Sequence, residues 1–146
     1  MTGPISLPDA EVRETGDARG RGVFALRAFT PGEIVEESPV VLVNALFRDF
    51  PPEIKHIVFS WGKLCNSGSA YAIALGYGTM YNHDNPANMR YQADPVNMVM
   101  RFIAVRAIAA GEELTVNYNA VGGGPEWPDD NWFQRMNIKP IVSGDA

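Results

Sequence analysis

The chain has 146 residues, 46% of them apolar, and a net charge of −5 from 17 acidic and 12 basic side chains. One domain with a real core is the expectation at this length, and the acidic balance argues against a nucleic-acid-coating surface while permitting a basic protein or peptide partner. No run reaches the ~18 apolar residues of a membrane helix, the start does not read as a signal peptide, and a lone cysteine (Cys65) excludes a disulfide framework or thiolate zinc site, so the chain reads as intracellular and soluble.

With 11 prolines and 14 glycines, short elements joined by many turns are expected. Residues 1–11 read as a loose lead-in. Val12 to Glu14 and Gly22 to Leu26 read as strands separated by the breaker cluster Gly16 to Gly20. Thr30-Pro31-Gly32-Glu33 is a turn, with Pro presetting φ and Gly taking a positive φ. Ile34 to Val43 reads as a strand with an edge or bulge at Pro39. Pro51 to Trp61 has helical spacing, with Ile54, Ile57 and Val58 on one face, though Val58 to Trp61 fits the start of a strand equally well. Cys65 to Ser69 is a small-residue loop, and Tyr71 to Tyr77 is apolar with glycine breaks. Met89 to Gln92, Val96 to Ala107 and Leu114 to Tyr118 read as strands. Gly122 to Pro125 then breaks the chain before a tail at 121–146 carrying Trp127, Trp132 and Phe133. The segments Gly22 to Glu33 and Phe102 to Glu112 echo each other as strand, Arg, apolar residue, turn glycine and acid, which reads as two similar strand–turn units.

Three stretches carry the candidate chemistry. Gly20-Arg21-Gly22 is a bend that lets a ligand approach the backbone; without a third glycine or a following helix it is no dinucleotide fingerprint. Tyr81-Asn82-His83-Asp84-Asn85-Pro86-Ala87-Asn88 is dense in uncharged hydrogen-bonding groups. Taken alone, an Asn–His pair more often satisfies local backbone, and His83 with His56 lacks the carboxylate spacing of a metal site. Tyr118 closes the apolar run Leu114-Thr115-Val116, so its phenol is a candidate to project into whatever the Asn–His loop forms; taken alone, a core tyrosine is the commoner outcome.

Jointly, residues 20–25, 81–88 and 112–118 resemble, in order and spacing, the three motifs of the SET-domain protein lysine methyltransferases, small single-domain type, and the likeness covers roughly residues 12–120. The resemblance implies a mainly β fold of short curved strands in several small sheets, with one short helical segment and a C-terminal pseudoknot. It implies S-adenosylmethionine (SAM) as cofactor, S-adenosylhomocysteine as product and no metal. The backbone of Arg21, Gly22 and Val23 would hold the methionine part of SAM, with Asn82 and His83 at its amino and adenine ends. Asn88 would brace the knot, and Tyr118 would sit beside the reacting methyl. Tyr91, with Phe59 and Trp61, would line the lysine channel, and a tail aromatic such as Trp132 would cover the adenine. Partners implied are a protein or peptide with an accessible lysine, in a basic tail for example, with no direct nucleic acid or membrane, and a monomeric or homodimeric state. Asp84-Asn85 stands where Ser-Cys is usual, Pro86 is one place early, and Asn117 stands where Asp is frequent. These departures keep a rival in play, a SET-fold module that binds peptide or cofactor without turnover.

Overall fold

The computed structural model describes residues 3–66, 68–119 and 122. Among these residues eight strands form two four-stranded sheets: β1 (Ala10–Glu14), β2 (Arg21–Ala25), β3 (Ile34–Val43), β4 (Tyr71–Ala74), β5 (Asn82–His83), β6 (Met89–Asp94), β7 (Val99–Ala104) and β8 (Glu113–Val116). The first sheet has the order β1-β2-β8-β5 and the second β4-β3-β7-β6. All pairings are antiparallel except β5 with β8, which places Asn82 opposite Thr115 and His83 opposite Val116. The first sheet thus joins the two distant motif stretches side by side.

The core is shared by both sheets. Val23, Phe29, Met89, Met100, Phe102, Ile108 and Leu114 are almost completely buried, each contributing about 1.5–3 kcal/mol by removal from water. A smaller aromatic group, Phe47, Phe50 and Tyr71, closes the insert beside β4, with ring centroids 5.4–6.2 Å apart.

The echoing segments form matching units that meet. Phe29 and Ile108 exchange backbone hydrogen bonds of 2.9 Å in each direction. Gly32 donates to Ala104 and Gly111 to Ala25, at 2.8 and 2.7 Å. Both glycines sit at φ +86°, where a side chain is strained. Arg27 pairs with Glu33 in one unit and Arg106 with Glu112 in the other.

Four expectations are corrected. The helix expected over Pro51 to Trp61 is two four-residue helices, α1 (Pro52–Lys55) and α2 (Trp61–Leu64). Between them Phe59 exchanges backbone bonds of 2.8 and 2.9 Å with Ala72, so sheet pairing takes the backbone that a continuous helix would need. Pro39 is neither an edge nor a bulge: the irregularity lies between Ile34 and Glu36. Pro39 ends the pairing of β3 with β7, and the pairing with β4 starts at Val40, so the missing N–H falls at the handover. Strand β7 is shorter than Val96 to Ala107, because Asp94 accepts the N–H groups of Val96 and Asn97 and makes a turn there. Strand β1 starts at Ala10, not Val12, and Ala10 is buried opposite Ala25. The tail residues Trp127, Trp132 and Phe133 lie outside the described residues.

Candidate active site

Tyr118 lies two residues past the end of β8, and three contacts tie it to β5 and the residue before it. Its backbone N–H donates to His83 Nδ1 at 3.1 Å. The two rings lie 5.3 Å apart. Its hydroxyl donates to the carbonyl of Tyr81 in a short hydrogen bond. Because a peptide N–H can only donate, Nδ1 of the buried His83 must be the acceptor, which in the neutral ring leaves the proton on Nε2. Burial, with smaller contributions from Glu113 and Tyr91, pushes the Tyr118 phenol well above its ordinary range. It therefore stays a neutral hydroxyl at physiological pH.

Asn82 is bound on its other side to the Gly20 bend. Its amide Nδ2 donates to Arg21 O at 2.9 Å and to Glu113 Oε2 at 2.8 Å, which uses both hydrogens. The amide oxygen is left as the acceptor of this side chain. Glu113 is itself fixed by Arg19 at 2.6 Å, and Arg19 is gripped bidentately by Asp17. Gly22 is explained by this crowding: a Cβ there would lie 2.4 Å from Glu113 Oε2 and 2.9 Å from Asn82 Nδ2. Its lack of a side chain makes room for the protein's own polar groups, a different reason from the ligand approach read in the sequence. Arg21 extends into solvent beside Glu14, and Val23 is buried opposite Leu114.

Asn88 is almost fully buried and bonds β8 on two sides. Its Nδ2 donates to Glu113 O at 2.7 Å and its Oδ1 accepts Thr115 N–H at 2.9 Å. Asn117, also buried, accepts Asn119 N–H on Oδ1, while its Nδ2 meets no acceptor among the described residues.

An aromatic group adjoins Tyr118. Phe59 packs edge-on to Tyr91 at 4.9 Å, and Phe102 lies 4.8 Å from Tyr81, 6.1 Å from Tyr91 and 6.2 Å from Phe59. Burial raises the Tyr91 phenol to about 12, with a backbone hydrogen bond from Gly122 opposing the shift. Trp61 is buried at the start of α2, and Trp132 lies outside the described residues. Arg19, Glu36, Tyr81 and Glu113 were not singled out by the sequence reading. Tyr81 and Glu113 stand inside quoted motifs and could have been; nothing local marks Arg19 or Glu36. Among the described residues no three His, Cys, Asp or Glu side chains gather as a metal site requires, and no helix is long and apolar enough to cross a membrane.

The SET-domain family model matches residues 20–119, so the chain belongs to the SET-domain family, the class of protein lysine methyltransferases that its motifs resemble. It is similar to a Schizosaccharomyces pombe histone-lysine N-methyltransferase specific for H3 lysine-37, 28% identical over 137 residues that cover 94% of this chain and 88% of the relative. A solved Plasmodium falciparum structure, described as a candidate histone methyltransferase, matches with a TM-score of 0.61 at 24% identity. That match covers 76% of this chain and 97% of the other and speaks to the fold alone.

Proposed function

We propose that this chain is a SAM-dependent protein lysine N-methyltransferase acting on a lysine in a basic segment of an intracellular protein. The observation that carries the reading is the joining of Tyr118 to residues 81–83, two stretches distant in sequence that share one strand pair and one short hydrogen bond. The residues suit the cofactor. The amide oxygen of Asn82, whose two hydrogens are both in use, is an acceptor for an ammonium group, and the buried Nδ2 of Asn117 is a donor with no acceptor among the described residues. Arg21, Gly22 and Val23 would hold the methionine part through their backbone, Asn82 its amino group and His83 its adenine end. Trp132 would cover the adenine.

SAM, when bound, supplies a methyl on a sulfonium. Everything else is positioning. Methyl transfer to an amine is an in-line displacement with little proton chemistry at the methyl, so alignment can supply up to about 7–11 kcal/mol of the acceleration. Tyr118, held as a neutral phenol, offers an oxygen at a fixed place and gives weak C–H···O support there. Tyr91, Phe59 and Trp61 would line the lysine channel, where aromatic faces attract the ammonium by about 0.5–2 kcal/mol each. Their apolar surroundings also lower the lysine pKa, so the amine enters the reaction neutral.

The test is label transfer from methyl-tritiated SAM to a mixture of lysine-rich proteins, with the wild type and Tyr118→Phe compared. Transfer by the wild type and a loss of about a hundredfold in the variant is the expected result. Cofactor binding without transfer to any such protein would favour the non-catalytic module. Equal transfer by both proteins would remove Tyr118 from the mechanism.

A further inference from the structure

Glu36 is a buried carboxylate, 3% exposed, that methyl transfer as described does not use. It sits in β3 opposite Phe102, and its two oxygens have separate tasks. The Tyr81 hydroxyl donates to Oε1 at 2.6 Å, and the Tyr77 N–H donates to Oε2 at 2.9 Å. Both donors are neutral. The Tyr81 bond has the length of a charge-assisted O–H···O⁻ contact, roughly twice as strong as a neutral one. Gly76, at φ +66°, closes directly over the carboxylate, since a Cβ there would lie 2.5 Å from Oε2.

Tyr81 is therefore held at both ends. Its ring, 2% exposed, is fixed by Glu36 and by Phe102 at 4.8 Å. Its carbonyl accepts the Tyr118 hydroxyl, and the next residue enters the parallel pair with β8. A buried carboxylate with no cationic partner among the described residues is costly to keep, and neutral donors on one loop are a modest return in stability alone. The arrangement makes sense as a stiff rod from Glu36 to Tyr118.

We infer that Glu36 is a positioning residue for the Tyr118 hydroxyl, acting through the Tyr81 side chain to fix the carbonyl that the hydroxyl binds. Its effect on rate rests on the methyl-transfer reading; its effect on the hydroxyl rests on geometry alone. If Glu36 only tied the 75–80 loop to β3, its loss would lower stability and leave the Tyr81 carbonyl unchanged.

The sequence supplies a selective probe. Of the five tyrosines only Tyr81 and Tyr118 precede an asparagine, and no phenylalanine does. Tyrosine labelled with ¹³C at the carbonyl, together with ¹⁵N-asparagine, thus yields two carbonyl–amide correlations, and Tyr118→Phe removes one of them and assigns both. In Glu36→Gln, which keeps one acceptor oxygen, and Glu36→Leu, which keeps none, the Tyr81 carbonyl resonance is expected to move upfield, further in the second. Tyr81→Phe, read with carbonyl-labelled phenylalanine, reports the same link cut from the other side. Activity of the same variants should show kcat down about tenfold with the KM for SAM nearly unchanged, as misplacement without lost binding would give. An unmoved Tyr81 carbonyl in folded Glu36→Gln and Glu36→Leu overturns the inference, as does an unchanged kcat in an active enzyme. If the wild type transfers no methyl, the functional proposal fails while the carbonyl resonance still decides this one.

Discussion

At Gly22 the absence of a single methyl group keeps the Asn82 amide and the Glu113 carboxylate in place. Those groups have little room to give, because Arg19 holds Glu113 at 2.6 Å and Asn82 is in the β5–β8 pair. Gly22→Ala should therefore destabilise the protein by about 1–3 kcal/mol through overpacking, measured by urea unfolding. It should also weaken SAM binding about tenfold, a difference of about 1.4 kcal/mol. A variant as stable as the wild type and equally able to bind would contradict this account of the glycine. Asn88 is a second single-residue test. Its replacement by Ala leaves the Glu113 carbonyl and the Thr115 N–H of β8 without their partners. A loss of about 2–4 kcal/mol is expected, since each buried unsatisfied group costs about 1–3 kcal/mol. That residues 82, 83, 88 and 118 come together could be read from the sequence because each lies in a motif. Arg19 could not be found that way: its role depends on a carboxylate far along the chain that only folding brings near.

The elements were legible where turn chemistry is explicit. Gly32 after Pro31 and Gly111 before Glu112 mark turns, and both adopt the positive φ expected of such glycines. With nothing within 4 Å of a Cβ at either place, only backbone strain opposes a side chain. Gly32→Ala and Gly111→Ala should each cost about 1–2 kcal/mol, nearly the same in the two matched units, by thermal or urea unfolding. A large cost in one and none in the other would contradict their equivalence. The insert was less legible. Ile57, Val58 and Phe59 fit a helix face by spacing, yet β-branched and aromatic residues also suit a strand. The backbone bonds of Phe59 to Ala72 decided the matter. Pro39 misled for a related reason: a missing N–H indicates that a ladder is interrupted there, and sequence cannot say whether the interruption is an edge or a change of partner.

Across the whole molecule the buried Tyr81 and the partly buried Tyr91 and Tyr118 set the alkaline limit. Tyr81, Tyr91 and Tyr118 are all raised above their ordinary value of 10.0, in each case chiefly by burial, with Tyr91 near 12. For a group whose folded pKa is raised, the stabilisation is complete below the unfolded value and is lost as pH climbs through the folded one. Stability should thus fall from about pH 10 upward, and tyrosinate absorbance should appear together with unfolding. Ionisation of these rings at pH 10 in a still-folded protein would contradict the burial described here. Glu36 acts in the acid range with the same sign: burial raises it, so its own contribution declines as pH rises through the carboxylate range. Asp94 opposes it, because hydrogen bonds from Asn97 and pairing with Arg101 hold it far below that range, and its contribution is lost as pH falls.

Sequence alone supplied the class of fold and the pairing of the two motif stretches, because three ordered motifs constrain the chain globally. It did not supply the Glu36–Tyr81–Tyr118 link, which requires β3 and the loop before β5 to meet in space. The most direct test of the whole account is titration calorimetry of SAM against the wild type, Asn82→Ala and Tyr118→Phe. One site per chain in the wild type, affinity reduced about tenfold or more in Asn82→Ala and largely retained in Tyr118→Phe is the predicted result. No binding heat with the wild type, or equal affinity in Asn82→Ala, would contradict it.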